Sequence, residues 1–236
     1  MLALNRQKRE KHHVQGVWVR FFCISIFIFL TFQGFAQDRR SAKIDFPPNL
    51  VVGRDSVQLL ADWKKMLLQS QTKSELEKIA AVNDFFNRRL AFEEDTQIWR
   101  QADYWATPLE TMIQRRGDCE DFSIVKYFSL KLLGVATDKM RLTSVRARIG
   151  GPHSQLMQAH MVLAYYAEPR VDPLILDNLI AEIRPGSRRP DLFPVFGFNS
   201  EGLWVVGAGS DAVHSTARLS RWREVLIRVS NEGFEP

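Results

Sequence analysis

From Val57 to Leu90 the apolar positions recur every three or four residues: Leu59, Leu60, Trp63 and Leu67, then Leu76, Ile79, Val82, Phe85, Phe86 and Leu90. That spacing matches the turn of an α-helix, and the polar stretch Gln69 to Lys73 divides it into two amphipathic helices whose apolar stripes face a core. After a connection rich in Trp and Tyr, Leu109 to Gln114 predicts a short helix ending at Gly117. A further helix starts at Asp118 or Cys119, runs through Phe122, Val125, Phe128 and Leu132, and stops at Gly134. Beyond that point the period falls to two. Met140 to Ile149, Ala159 to Ala167, Leu174 to Asp177, Leu203 to Val206 and Trp222 to Val229 read as strands. Helices first and strands second predict an α+β fold, with helices packed against one face of an antiparallel sheet.

A segment of a different kind precedes these elements. Arg6, Lys8, Arg9, Lys11 and Arg20 form a cationic region, Phe21 to Phe32 an apolar run, and Gly34-Phe35-Ala36 a small-residue end before Gln37. This is the pattern of a secretory signal peptide over residues 1–36. Its apolar run is shorter than the ~20 residues that span a bilayer, which disfavours the alternative of a retained anchor. Residues 37–56, with Pro47 and Pro48, read as an extended lead-in to a single domain over 57–236.

Removing the leader changes the charge. It holds five of the 32 Lys and Arg but one of the 27 Asp and Glu, so the remainder is close to neutral. The basic balance of the whole chain is therefore no argument for a nucleic-acid partner. The leader also takes Cys23 with it and leaves Cys119 as the one thiol of an exported chain, where disulfides form readily. A lone cysteine there is either a packing residue or a reactive thiol.

Its context favours reactivity. Cys119 follows Gly117-Asp118 and opens a helix, and the unpaired N–H groups of a first turn favour a thiolate. A thiolate nucleophile needs a histidine to pass its proton, and that histidine needs a carboxylate or amide to orient it. Outside the leader the histidines are His153, His160 and His214. His160 opens the strand His-Met-Val-Leu-Ala-Tyr-Tyr, where a rigid backbone fixes its ring, whereas His153 and His214 lie in polar loops. Asp177 closes the apolar strand Leu174-Ile175-Leu176, one hairpin-like connection from His160, and adjacent strands bring such residues opposite each other. Cys119 as nucleophile, His160 as base and Asp177 as orienting group form an ordered set resembling the papain-like and transglutaminase-like arrangement. Tyr104 and Trp105 are candidates for a second oxyanion donor beside the Cys119 N–H.

Asp118, Glu120 and Asp121 surround the thiol. Carboxylates at a helix start stabilise the helix, and that alone accounts for them. They also oppose thiolate formation by like-charge repulsion. A bound cation would remove the conflict, and oxygen ligands of this kind suit Ca²⁺.

Several stretches together resemble the bacterial transglutaminase-like cysteine proteases of the LapG type: Asp103-Tyr104-Trp105-Ala106-Thr107-Pro108, Gly117-Asp118-Cys119-Glu120-Asp121-Phe122, Lys126-Tyr127-Phe128, Ala159-His160-Met161-Val162-Leu163 and Leu176-Asp177-Asn178. The resemblance runs from Val57 to the C-terminus, and Ser123 stands where a small Ala-like residue is expected. It implies a periplasmic, calcium-dependent endopeptidase with Asp118, Glu120 and Asp121 as metal ligands. It further implies that the substrate is the N-terminal region of a large surface adhesin, cut to release it and disperse a biofilm. The implied partner is an inner-membrane cyclic di-GMP receptor of the LapD type that sequesters the protease. Two other readings stay open on the residues alone: a transglutaminase or amidase on the same fold, and a non-catalytic binding module.

Overall fold

The computed structural model describes residues 53–205 and 219–235, all within one compact unit, Arg40–Pro236. The leader, the lead-in up to residue 52 and His214 lie outside the described residues.

Two helices open the domain, α1 (Arg54–Ser70) and α2 (Glu75–Arg89). Helix α1 starts three residues before the expected Val57, so Arg54 to Ser56 are helical rather than extended. Ser74 and Glu77 close a capping box on α2: the Ser74 hydroxyl accepts the Glu77 N–H and Glu77 accepts the Ser74 N–H. The next elements are β1 (Ala91–Phe92), the short α3 (Asp95–Ile98), α4 (Pro108–Gln114), β2 (Arg116–Gly117) and α5 (Cys119–Leu132). Helix α4 has its own capping box, Thr107 with Glu110, and proline at its first turn. It ends at Arg115, whose φ of 58° is left-handed, rather than at Gly117. Neither α3 nor the β1–β2 pair is foreseen by the hydrophobic period; both are too short to show one.

The sheet follows: β3 (Met140–Arg148), β4 (Met157–Tyr165), β5 (Leu174–Leu176), β6 (Arg184–Pro185), β7 (Leu192–Phe198) and β8 (Leu203–Val205). Its order is β6-β5-β4-β3-β7-β8, and every pair is antiparallel. Strand β7 escapes a reading by pattern because Pro194 and Gly197 interrupt it. Pro194 sits where the β3–β7 register shifts, an irregularity that tolerates a missing N–H.

One expectation is overturned: Trp222 to Val229 is not a strand but part of helix α6 (Ser220–Asn231). Its buried residues are Trp222, Val225 and Val229, three and four apart, so the period was helical and β-branched composition masked it. Trp222 packs edge-on to Tyr127 and Phe198.

Helix α5 is buried from Asp121 to Leu130 without a break, as befits a helix enclosed on all sides. It packs against β3 and β4 and against α2 and α4, and Trp63 Nε1 of α1 donates to Ser129 Oγ at 2.9 Å. Met140, Leu142, Met161, Leu163 and Tyr165 join this main core. Their alternates Val145, Val162, Ala164 and Ile175 form a small second cluster on the other face. The α+β expectation, helices on one face of an antiparallel sheet, matches this architecture.

Candidate active site

Three segments fix the start of α5. The parallel β1–β2 pair sets Phe92 beside Gly117, and Glu93 N donates to the Gly117 carbonyl at 3.0 Å. A side chain at Gly117 would place its Cβ 2.6 Å from the Asp121 carboxyl, so only glycine allows that carboxylate to fold back beneath the turn. Asp118 then caps the helix, its Oδ1 accepting from Glu120 N at 3.1 Å and Asp121 N at 3.4 Å.

Cys119 opens α5 in a cleft of about 260 Å³, shared with Phe92, Asp95, Asp118, Glu120 and Ala159. Its hydrogen bond goes to Glu120 Oε2 at 2.7 Å and not to His160. Burial first, then the Glu120 and Asp118 carboxylates, push the thiol's pKa well up, while the Met161 N–H pulls it the other way. That N–H belongs to the residue after His160, and Ser123 Oγ, one turn along α5, donates to the Met161 carbonyl at 3.1 Å. The start of α5 is thereby tied to the strand segment carrying His160.

His160 is buried, and its Nε2 lies 2.8 Å from Asp177 Oδ1. With Nε2 directed at the carboxylate, Nδ1 is the basic ring nitrogen. Asp177 Oδ1 also accepts the Leu179 N–H at 3.0 Å, and Oδ2 accepts from Arg189 Nη2 at 2.7 Å. The Asp177 carbonyl is held by Asn87 Nδ2 at 2.8 Å and by the buried Lys126 Nζ at 3.2 Å. Burial raises the Asp177 pKa, but His160, the Leu179 N–H and Arg189 outweigh it and hold the value at about 2. Burial lowers Lys126 to about 7. Arg189 carries no sequence signal, being one cation among many until the fold turns it inward, whereas Lys126 is marked only as part of the Lys126-Tyr127-Phe128 stretch and not by any role.

The carboxylates around Cys119 are crowded. Ligand atoms of Asp118, Cys119 and Glu120 lie within 4.8 Å of one another, and so do those of Asp95, Asp118 and Asp121. Asp95, on α3, is a member that the sequence did not reveal, since it lies far from the Cys119 motif along the chain. Tyr104 N donates to its Oδ2 at 2.5 Å and Ala106 N to Asp121 Oδ1 at 2.8 Å. Asp95 Oδ1 and Asp121 Oδ2 are buried without a partner. Burial, followed by Asp118, raises Asp95 to about 7 and Asp121 well above its usual value. Burial, followed by Glu120, raises Asp118 to about 7. Hard oxygen donors in two groups that share Asp118, two of their oxygens orphaned, fit a divalent cation of calcium's kind.

Tyr104 and Trp105 are committed elsewhere: Tyr104 Oη to Glu110 and Arg228, and Trp105 Nε1 to Asp103. His153 is exposed and apart from this cleft. A larger cavity, about 370 Å³, lies on the second face of the sheet and does not reach Cys119.

A helix-start thiol and a strand imidazole bonded to a carboxylate, on this α+β scaffold, define the transglutaminase-like class of cysteine proteases. Residues 60–193 match the family model described as bacterial transglutaminase-like cysteine proteinase. Legionella pneumophila LapG is 36% identical over 75% of this chain and 90% of its own, with a TM-score of 0.65. Its calcium-bound form gives 36%, 75% and 92% with a TM-score of 0.64, and its EGTA-treated form gives 36%, 75% and 90% with 0.66. No curated protein matches the chain. The chain belongs to the bacterial transglutaminase-like cysteine proteinase family.

Proposed function

We propose that this protein is a calcium-dependent cysteine endopeptidase acting in the periplasm, with Cys119 as nucleophile, His160 as acid and base, and Asp177 as the orienting carboxylate. The observation that carries the reading is the buried 2.8 Å contact between His160, on β4, and Asp177, just past β5, in a chain whose α5 opens on the Cys119 thiol.

The chemistry is acyl transfer. His160 Nδ1 takes the thiol proton, and the Cys119 sulfur bonds to a peptide carbonyl carbon. As the tetrahedral species collapses, the C–N bond breaks and His160 returns its proton to the leaving amine. Water then attacks the thioester, His160 accepts its proton, and the thiol leaves with it. Asp177 holds the ring through Nε2 and stabilises the imidazolium that forms in each half-reaction. In this geometry the thiol must first turn from Glu120 towards the ring.

Asp118, Glu120 and Asp121, joined by Asp95, would hold the calcium. When bound, the ion supplies positive charge that offsets the carboxylates beside Cys119. The calcium-bound and EGTA-treated forms of the Legionella protein support this assignment.

Family membership and the Gly-Asp-Cys-Glu-Asp-Phe motif support the finer reading. The substrate would be the N-terminal region of a large surface adhesin, cleaved to release the adhesin and disperse a biofilm. An inner-membrane cyclic di-GMP receptor of the LapD type would sequester the protease. The leader pattern supports export, and protein from a periplasmic extract should begin near Gln37; an N-terminus at Met1 would refute it. Incubating the chain from Gln37 with adhesin N-terminal fragments should give discrete cleavage that EGTA stops and added Ca²⁺ restores. Intact fragments, or amine incorporation instead of cleavage, would overturn the endopeptidase reading.

A further inference from the structure

The Asp177 carboxylate is gripped from two directions, and its outer half belongs to Arg189. Arg189 Nη2 meets Asp177 Oδ2 at 2.7 Å, with the two side chains 1% and 0% exposed. The guanidinium is itself fixed: Nε lies 3.0 Å from Asp191 Oδ1, and Nη2 lies 2.7 Å from Asp191 Oδ2. We propose that Arg189 is a positioning residue for the hydrolytic centre, holding the Asp177 carboxylate in the rotation that presents Oδ1 to His160 Nε2. The inference rests on the peptidase reading above and adds to it a residue which touches neither thiol nor substrate.

The physical case is one of rotation and charge. A carboxylate turns easily about its last bond. The His160 and Leu179 N–H groups both address Oδ1, so they leave the other oxygen free to swing. Arg189 occupies that oxygen and fixes the plane. It also sets a positive charge directly against the buried carboxylate, nearer than that of Lys126. Lys126 adds charge but does not fix the plane, because its Nζ reaches the Asp177 main-chain carbonyl and not the carboxylate. Asp191 is partly exposed, with 32% of its side chain accessible, and it holds two guanidinium nitrogens in the plane that meets Asp177. The planar fork explains why arginine serves here: lysine offers one point charge and cannot bridge both carboxylates with fixed geometry.

The test compares Arg189→Gln, Arg189→Lys and Asp191→Asn on a peptide substrate and by ¹⁵N spectroscopy of the His160 ring. Arg189→Gln should lower kcat about 10-fold to 100-fold, as loss of a supporting contact behind a ligand or base commonly does, with KM within about twofold. Arg189→Lys should recover part of the loss, and Asp191→Asn, which loosens the arginine without removing it, should lower kcat by less than Arg189→Gln does. In wild type the neutral His160 ring should carry its proton on Nε2; in Arg189→Gln the two tautomers should mix. Adding Arg189→Gln to Asp177→Asn should cost nothing more, since the arginine acts through that carboxylate. Unchanged kcat and tautomer in Arg189→Gln, or a loss that adds in full to Asp177→Asn, would overturn the proposal. If Arg189→Gln does not fold, Asp191→Asn and Arg189→Lys decide it: wild-type kcat and tautomer in both would overturn it. The ring measurement needs no substrate, so a wild-type protein that cleaves nothing would sink the peptidase reading while the tautomer result still stood for or against Arg189.

Discussion

Asp121 and Asp177 are buried to the same degree, at 0% and 1% exposed, yet they sit in opposite electrostatic worlds. Asp177 lies among donors: a ring nitrogen, a backbone N–H and a guanidinium saturate its two oxygens, and its pKa falls to about 2. Asp121 lies among other carboxylates, keeps one oxygen without a partner, and has its pKa driven well up. Burial disfavours the charge in both places, so partners and not depth decide the outcome. One region is complete as the chain folds it and can orient a base. The other sets carboxylates against one another, and Cys119 stands at its edge, under their repulsion.

The strongest way to break this contrast is to remove the complete side. Cys119→Ala and His160→Ala should each lower peptide cleavage by about a thousandfold or more, as loss of a nucleophile or its base does. His153→Ala and His214→Ala should stay near wild type in the same assay. An active His160→Ala beside a dead His153→Ala would mean the wrong base had been chosen.

The incomplete side should be the one that responds to metal. Chelation with EGTA should lower the melting temperature, and Ca²⁺ should raise it, because a ligand selective for the folded state stabilises it. Mg²⁺ should substitute poorly, since it demands a tighter octahedral shell. Asp118→Ala, Glu120→Ala and Asp95→Asn should each diminish the calcium-dependent shift and, with it, activity by about tenfold or more. A melting temperature indifferent to both EGTA and Ca²⁺ in wild type would reduce the acidic run to helix capping.

The smallest expected effect is on acid stability. The folded pKa of Asp177, about 2, lies below its usual 3.8. A depressed carboxylate contributes stability that is present above the unfolded value and is lost as pH falls through the folded one. Between pH 4 and pH 2 wild type should therefore lose about 2 kcal/mol that Asp177→Asn does not lose, a difference measurable by denaturant titration at the two pH values. At pH 7 Asp177→Asn should retain activity between wild type and His160→Ala, since an amide still orients the ring but stabilises its cation less. Equal acid sensitivity in the two proteins would show that Asp177 is not the charged partner described here.

How far the sequence reached follows from the kind of signal each part leaves. Long periodic elements were readable: α1, α2, α5, β3 and β4 fall where the apolar spacing puts them. Helix α6 reads as a strand because Trp222, Val225, Ile227 and Val229 are strand-favouring residues, and only the burial of Trp222, Val225 and Val229 at three- and four-residue steps reveals the helix. The candidate residues around Cys119 were readable where local context marks them, at a helix start or a strand end. Asp95 was not, because it meets Asp118 and Asp121 only after β1 and β2 pair. Arg189 was not, because nothing in a run of exposed-looking arginines says which one turns in to a buried carboxylate. The thiol's turn towards Glu120 was equally invisible, being a matter of rotamer rather than of pattern.

The central claim is that the carboxylates beside Cys119 suppress its thiolate until a cation offsets them, and the rate of iodoacetamide alkylation at fixed neutral pH tests it directly. EGTA-treated protein should react slowly, and saturating Ca²⁺ should speed alkylation of Cys119 by about tenfold or more, as a shift of one pKa unit or greater requires. Equal rates with and without Ca²⁺ would contradict the account.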